Sequence, residues 1–127
     1  MTTDEITAFA EAMDLCWLDG RFDDLRLFMT PDVVVSVPDA ERVDGIEAVI
    51  AIYRDFRARS AVTHFRSHDH VATMQADSAV IEYRWEMTWQ EAGDEIEARG
   101  REILALHRSE DRPAGGWRIF WRTQIPA

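Results

Sequence analysis

The sequence contains a single cysteine, Cys16, so no disulfide bond can form within one chain. No spacing of cysteine and histidine is typical of a zinc site. The chain also lacks an apolar run of about 18 residues and a basic-then-apolar N-terminus, so neither a membrane span nor a signal peptide is expected. These absences predict a soluble, cytoplasmic protein that holds no metal and no cofactor.

Positive charge is scarce, since 14 basic residues stand against 24 acidic residues and the formal net charge is −10. Nucleic acids and anionic membranes are bound by patches of Lys and Arg, so neither is expected as a partner. No G-x-S-x-G motif, P-loop or dinucleotide fingerprint occurs. Cys16 falls on the predicted core side of a helix, so its thiol is expected to be inert.

Material for a hydrophobic core is plentiful, with 46% hydrophobic residues and five Trp in 127 residues. A domain of this length buries about 65–70% of the surface of its unfolded chain. There are no internal repeats, low-complexity tracts or linkers. The sequence therefore predicts one domain that spans residues 1–127.

Apolar residues at helical spacing predict an amphipathic helix over residues 2–19. Thr2 and Glu5 have the spacing of a capping box, and Gly20 stands where a left-handed residue ends a helix. The predicted buried stripe consists of Ile6, Phe9, Ala10, Met13, Cys16 and Trp17. Asp14 and Asp19 are expected to be solvated.

A short helix over residues 22–29 and a β-branched strand over residues 33–37 follow. Asp44 and Glu47 have the spacing of a second capping box, which starts a helix that continues to about Arg59. The predicted buried stripe of that helix consists of Ile46, Val49, Ile50, Tyr53 and Phe56.

The pattern changes to a period of two after Val62, which is typical of strands with one buried face. Strands are predicted over residues 62–71, 79–89, 95–108 and 117–124, with a flexible hairpin loop over 109–116. The strand over 79–89 alternates most strictly. Its apolar face carries Ile81, Tyr83, Trp85, Met87 and Trp89, and its polar face carries Glu82, Arg84, Glu86 and Thr88.

Helices that precede a meander of consecutive strands predict an α+β fold, with the helices packed on one face of a mostly antiparallel sheet. The last strand is expected to place Trp117, Ile119 and Trp121 on one side. Alternation in the first meander strand places Asp69 on its apolar face.

Several local patterns in this order resemble the nuclear transport factor 2-like superfamily, in particular its SnoaL-like and ketosteroid-isomerase-like members. They are found in the segments Leu18–Phe22, Pro31–Val35, Val43–Val49, Arg99–Arg101 and Gly116–Ile119. The resemblance covers nearly the whole chain. It implies a cystatin-like cone, in which a strongly bent sheet wraps the helices, encloses a pocket and forms a homodimer through its outer face. It does not imply one function, because the superfamily includes isomerases, dehydratases, cyclases and non-catalytic domains.

Ketosteroid isomerase chemistry needs a carboxylate base and an oxyanion pair of Tyr and protonated Asp. By resemblance, the base position falls on Val37 and the principal tyrosine position on Met13, whereas Tyr53 matches a second tyrosine. The acid position falls near residues 102–104. The absence of the base and of the principal tyrosine argues against steroid isomerase activity.

Two carboxylates are candidate acid–base groups. Glu102 interrupts an apolar strand face, where an isolated carboxylate would have a raised pKa, unless Tyr83, Tyr53 or an arginine holds it. Asp69 shares the apolar side of its strand by alternation. The histidines of that strand are expected on the outer face with Arg66, unless a bulge turns part of the strand inward: His64, His68 and His70.

Large aromatic residues dominate the predicted interior. They either fill a core or line a pocket for a planar, hydrophobic ligand. The expected pocket residues are Met13, Trp17, Val37, Tyr53, Phe65, Tyr83, Trp85, Met87, Trp117 and Trp121. Three hypotheses remain open. The protein is an enzyme that acts on a hydrophobic or polyketide-like compound by proton transfer, a non-catalytic binding domain, or a dimerisation module.

Overall fold

The computed structural model describes residues 3–108 and 116–126. Helix α1 spans Thr3–Leu18, a 3-10 helix spans Phe22–Leu27, and helix α2 spans Ile46–Arg59. Gly20 follows α1 with φ of 77°, the left-handed conformation expected at that position. The predicted cap residue Thr2 lies outside the described residues.

The capping box predicted for α2 is wrong. The residue before the first turn is Gly45, with φ of 92° and no side-chain capping bond. Asp44 instead accepts a hydrogen bond from Arg42 at 2.8 Å, and Glu47 pairs with Arg26 at 2.5 Å. Both acidic side chains are therefore engaged by arginines, and the positive φ that only glycine adopts easily sets the entry into the helix.

Six strands form one mixed sheet in the order β2-β1-β6-β5-β4-β3. Neighbouring strands are antiparallel except β1 and β6, which are parallel and lie far apart in the sequence. The predicted loop over 109–116 lies outside the described residues apart from Gly116. The strands span Met29–Val35 (β1), Val43–Asp44 (β2), Ser60–Gln75 (β3), Ser78–Glu91 (β4), Asp94–Arg108 (β5) and Trp117–Pro126 (β6).

The α+β architecture is confirmed, because the helices pack on one face of the sheet, here called the inner face. The core between them buries Ile6, Met13 and Cys16 of α1 against Ile81 of β4 and Leu104 of β5, each with no exposed area. Burial of each such side chain contributes about 1.5–3 kcal/mol. Within the described residues, no helix is long and apolar enough to cross a membrane.

A bulge in β3 changes which side chains face inward. His68 pairs with Arg84 but Val71 pairs with Glu82, so Asp69 and His70 together lie opposite Tyr83. Asp69 has φ of 58°, as expected for the extra residue of a bulge. Beyond this point His70 faces inward and Val71 is 56% exposed, the reverse of the predicted alternation.

Strand β6 also contains a bulge. Leu106 pairs with Ile119 and Ala105 with Trp121, so Phe120 is an extra residue. The next inward side chain is therefore Arg122, which is 6% exposed, and not Trp121. The prediction that Trp121 shares the side of Trp117 and Ile119 is wrong, because simple alternation cannot count an inserted residue.

Candidate functional site

A cavity of about 330 Å³, here called the inner cavity, opens between the helices and the inner face of the sheet. Aromatic rings form most of its wall, and a few polar groups converge at one end. Such a combination is typical of small-molecule sites. The lining residues are Asp14, Trp17, Ile52, Tyr53, Phe56, Arg59, Phe65, Tyr83, Trp85, Met87, Trp89, Glu102, Arg122 and Gln124.

Asp14 of α1 places a buried carboxyl group in this cavity. Asp14 is 6% exposed, so the prediction that it is solvated is wrong. Trp17 Nε1 donates a hydrogen bond to Asp14 Oδ1 at 3.0 Å, and the Tyr83 hydroxyl donates to Oδ2 at 3.2 Å. Both donors are neutral side chains, and within residues 3–108 and 116–126 no cation forms an ion pair with this carboxyl group.

These surroundings raise the pKa of Asp14 from 3.8 to about 7. Burial is the largest cause, since it disfavours the charged form, and the negative charge of Glu102 adds to it. The hydrogen bonds from Trp17 and Tyr83 and the positive charge of Arg122 act in the opposite direction. Asp14 is therefore poised to take up or release a proton near neutral pH.

Glu102 and Arg122 form an ion pair in the same cavity. Their closest atoms, Arg122 Nη2 and Glu102 Oε1, are 2.5 Å apart, and the Arg122 and Glu102 side chains are 7% and 2% exposed respectively. Arg122 Nη1 also donates to the Tyr53 hydroxyl. Burial raises the pKa of Glu102, and Arg122 and Gln124 oppose this rise. The alternative in which an arginine holds Glu102 is the one observed.

The aromatic rings of the wall contact one another. Trp17 stacks on Tyr53 with ring centroids 5.4 Å apart and meets the Phe65 ring edge-on at 5.6 Å. At the rim, Phe56 meets Trp89 edge-on at 5.5 Å. Rings in these geometries attract one another beyond simple burial, and together they present an aromatic surface suited to a flat ligand.

Six of the ten expected pocket residues line the inner cavity: Trp17, Tyr53, Phe65, Tyr83, Trp85 and Met87. The other four do not. Met13 and Trp117 are buried in the core, with 0% and 4% exposure. Val37 is half-buried after the end of β1 and does not reach the cavity, and the bulge turns Trp121 to the other face.

Asp69 is not a cavity residue, which corrects its predicted place on the apolar face. Its side chain is 69% exposed and lies 3.1 Å from His68 Nδ1 and 3.9 Å from Arg84 Nε. The bulge that begins at Asp69 turns it outward. Asp69 therefore does not line the inner cavity.

The three histidines of β3 divide between the two faces. His64 and His68 lie on the outer face, where His64 Nε2 is 3.1 Å from Glu86 Oε1. His70 lies inside and stacks on the Tyr83 ring with centroids 4.7 Å apart. Burial lowers the pKa of His70, which favours its neutral form at pH 7. It packs on Tyr83 and does not line the inner cavity.

Four residues that line the cavity were not predicted from the sequence: Asp14, Arg122, Gln124 and Trp89. A signal for Asp14 existed, because it lies three residues before Trp17 and four after Ala10, both on the predicted buried stripe. No signal existed for Arg122 and Gln124, whose inward orientation depends on the β6 bulge.

The cavity offers hydrogen-bonding groups and aromatic surface and no cluster suited to a metal ion. Across residues 3–108 and 116–126, no group of three or more His, Cys, Asp or Glu side chains could hold a metal. The chemistry that the described arrangement supports is proton transfer by carboxyl groups.

Comparison with known families agrees with the order of elements. Residues 6–112 match the SnoaL-like domain family, which covers most of the chain. The chain belongs to the SnoaL-like family. This family falls within the nuclear transport factor 2-like superfamily, which contains isomerases and cyclases as well as non-catalytic members. Among curated proteins, no sequence matches.

Solved structures of several other proteins share the fold at low sequence identity. A nuclear transport factor 2-like protein with a cystatin-like fold from Novosphingobium aromaticivorans superposes with a TM-score of 0.76 at 18% identity, over 97% of this chain and 80% of that chain. A ketosteroid isomerase-like protein from Erwinia carotovora atroseptica gives 0.74 at 19% identity, over 96% and 95%. The CaMKII hub of S. rosetta gives 0.84 at 15% identity, over 98% and 95%. The expected cystatin-like fold is confirmed.

Proposed function

We propose that this SnoaL-like domain binds a small hydrophobic or polyketide-like compound in the inner cavity and transforms it by acid–base chemistry of the isomerase, cyclase or dehydratase type. Asp14 is the proposed proton-transferring group, in place of Asp69. The observation that carries the proposal is the buried Asp14 carboxyl group with its pKa raised to about 7. A general base or acid works best when its pKa lies near the working pH.

Asp14 suits this role better than Glu102, the other buried carboxyl group. Glu102 lies against the permanent positive charge of Arg122, so its charge is compensated and proton uptake there would leave a buried cation unpaired. Asp14 accepts hydrogen bonds only from neutral donors among the described residues. Glu102 instead keeps Arg122 in place and adds to the negative potential that raises the pKa of Asp14.

In this scheme the ionised Asp14 accepts a proton from a C–H group of the ligand, next to an electron-withdrawing carbonyl group. The same carboxyl group then returns the proton to another atom of the ligand, or a leaving group departs instead. Tyr83 has a pKa well above its ordinary value because of burial, so it keeps its proton and continues to orient Asp14. Most of the cavity wall is aromatic, and electrostatic interactions are stronger in such apolar surroundings than in water.

The test uses 5-nitrobenzisoxazole, a planar bicyclic compound that needs only a base. Removal of its ring C–H proton breaks the N–O bond and releases the coloured 2-cyano-4-nitrophenolate, so one proton transfer is read directly by absorbance. We expect saturable release by the wild-type protein, with kcat/KM rising through pH 7 to a plateau. Asp14→Asn should lose at least about 100-fold, the usual contribution of a positioned base.

The matched control is Asp55→Asn, which removes an exposed carboxyl group from α2 and should leave the rate unchanged. Equal rates for wild type and Asp14→Asn would contradict the assignment of the base. Saturable quenching of Trp fluorescence by the compound, with no release above the buffer rate, would favour the alternative of a non-catalytic binding domain.

We also propose that the domain forms a homodimer through the outer face of the sheet. Arg84 and Arg101 lie directly opposite each other on β4 and β5, where like charges repel unless acidic groups compensate them. Glu82, which pairs with Arg101 at 3.0 Å, and Asp69, near Arg84, supply part of this compensation, and a second copy could supply more. Substituting both arginines by Glu should give a monomer in analytical ultracentrifugation, and a dimer that persists would contradict this interface. The cytoplasmic location and the single-domain organisation stay predictions.

A further inference from the structure

A second cavity, here called the outer cavity, adjoins the inner cavity. It has a volume of about 370 Å³ and lies between the C-terminal ends of α1 and α2 and the first residues of β3. Four rings line both cavities: Trp17, Tyr53, Phe56 and Phe65. The two cavities therefore share their aromatic rings, whereas Leu18, Arg57 and residues 61–64 line the outer cavity and not the inner one.

Two basic residues line the outer cavity but not the inner one: Arg57 and His64. Arg57 Nη1 donates to the carbonyl oxygen of Leu18 at 2.6 Å, and the guanidinium group lies over the Cα of Gly20. A side chain at position 20 would begin 3.4 Å from Nη1. The guanidinium group is thus held at the rim by the end of α1, with most of its N–H groups left for other acceptors.

Arg57 differs from its neighbours in its ionic partners. Arg54 pairs with Asp23 at 3.1 Å, Arg59 with Glu91 at 3.5 Å, and His64 with Glu86 at 3.1 Å. Within the part of the chain that the structure describes, no carboxylate lies within ion-pairing distance of Arg57. In a chain with a net charge of −10, an oriented cation without an acidic partner at the edge of an aromatic cavity is suited to an anion.

We infer that the outer cavity is a binding site of its own, which takes a planar, apolar molecule carrying one acidic group. The rings of Trp17, Phe56 and Phe65 hold the apolar body, and Arg57 binds the acidic group. This inference does not depend on the chemistry of Asp14, because it concerns a different cavity and a different charged residue.

The test compares two fluorescent probes that share one aromatic skeleton. 8-Anilinonaphthalene-1-sulfonate carries an acidic group, and N-phenyl-1-naphthylamine is the same compound without it. Both brighten in apolar surroundings, so a fluorescence titration at pH 7 gives a Kd for each. We expect the wild-type protein to bind the sulfonate at least about ten-fold more tightly, and Arg57→Gln to lose most of that preference while binding the neutral probe unchanged.

Two further variants show where binding takes place. Arg54→Gln removes a paired arginine from the same helix and should keep the preference for the sulfonate. Ala61 lines only the outer cavity and is exposed, so Ala61→Trp should fill that cavity and abolish binding of the sulfonate. Thermal unfolding of each variant checks that α1 and α2 remain packed.

Three results would overturn the inference. The first is no binding of either probe, and the second is equal binding of both probes by the wild-type protein. The third is a preference for the sulfonate that survives in Arg57→Gln or in Ala61→Trp. Each result is separate from the test of Asp14, because Asp14→Asn is expected to leave the preference between the probes unchanged.

Discussion

The two faces of the sheet each contain an Arg–Glu pair, in very different surroundings. On the inner face Arg122 and Glu102 are 7% and 2% exposed, whereas on the outer face Arg101 and Glu82 are 40% and 44% exposed at 3.0 Å. The residue types are the same, and Glu102 and Arg101 are adjacent in the sequence. The difference in burial decides whether such a pair affects the chemistry of a site or is an exposed pair that contributes little to stability.

The largest expected difference between the faces is in stability. Arg122→Met leaves Glu102 buried without its cation, so the free energy of unfolding at pH 7 should fall by about 3–5 kcal/mol. Arg101→Met removes the matched exposed pair, and its loss should be about 0–1 kcal/mol because solvent already screens it. Urea unfolding monitored by Trp fluorescence measures both.

The double variant Arg122→Met, Glu102→Met sharpens this comparison. Replacing both buried charges with apolar groups should recover most of the loss, since the cost comes from one charge left alone and not from the missing pair. Similar losses for Arg122→Met and Arg101→Met would mean that burial does not separate the two faces.

The next effect concerns the pH dependence of stability. Folded Asp14 has a pKa of about 7 against an ordinary 3.8, so between these values the folded state retains a proton that the unfolded state has lost. Its contribution is therefore fully present below about pH 4 and is lost as the pH rises through 7. Relative to Asp14→Asn, the wild-type protein should lose stability over this range by something on the order of 4 kcal/mol.

Urea unfolding at a series of pH values from 4 to 8 measures this loss. Asp55→Asn, which changes an exposed carboxyl group on α2, provides the control and should follow the wild-type profile. If the difference between wild type and Asp14→Asn does not change with pH, then the cavity does not hold the pKa of Asp14 near 7.

The smallest expected effect is a shift in the pKa of Asp14, tested by substituting two tryptophans. Trp17→Phe keeps an aromatic ring but removes the N–H group that stabilises ionised Asp14, so the pKa of Asp14 should rise by about one pH unit. Trp121→Phe changes a ring on the outer face and should leave that pKa unchanged. Carbon-13 NMR of the Asp side-chain carboxyl groups, assigned with Asp14→Asn, follows both, and a shift in the Trp121 variant alone would reverse the assignment of faces.

The order of helices and strands could be predicted because each element carries its own periodic pattern. The strand over 79–89 is the clearest example: Tyr83, Trp85 and Met87 line the inner cavity as its alternation indicated. Packing on the inner face requires that alternation, so sequence and structure agree wherever the ladder is regular.

The prediction of the site failed where the ladder is irregular. One extra residue in β3 turned Asp69 outward and His70 inward, and one in β6 exchanged Trp121 for Arg122. Bulges leave no periodic signal, so an alternating pattern assigns the wrong face to every residue beyond them. The prediction for Asp14 failed for another reason. Its carboxyl group lies on a buried stripe and accepts hydrogen bonds from Trp17 and Tyr83, and Tyr83 is far from Asp14 in the sequence.

The bulge at Phe120 also indicates where the chain can change in length. Deleting Phe120 would leave Ile119 and Arg122 facing inward on a regular strand, with the pairs from Ala105–Trp121 onward intact. Deletion of a residue from a regular part of β5, such as Ile103, would instead exchange the two faces of that strand. Relatives that lack the residue corresponding to Phe120 can therefore keep the same cavity. An alignment without a gap at that position would match the arginine that corresponds to Arg122 with Trp121.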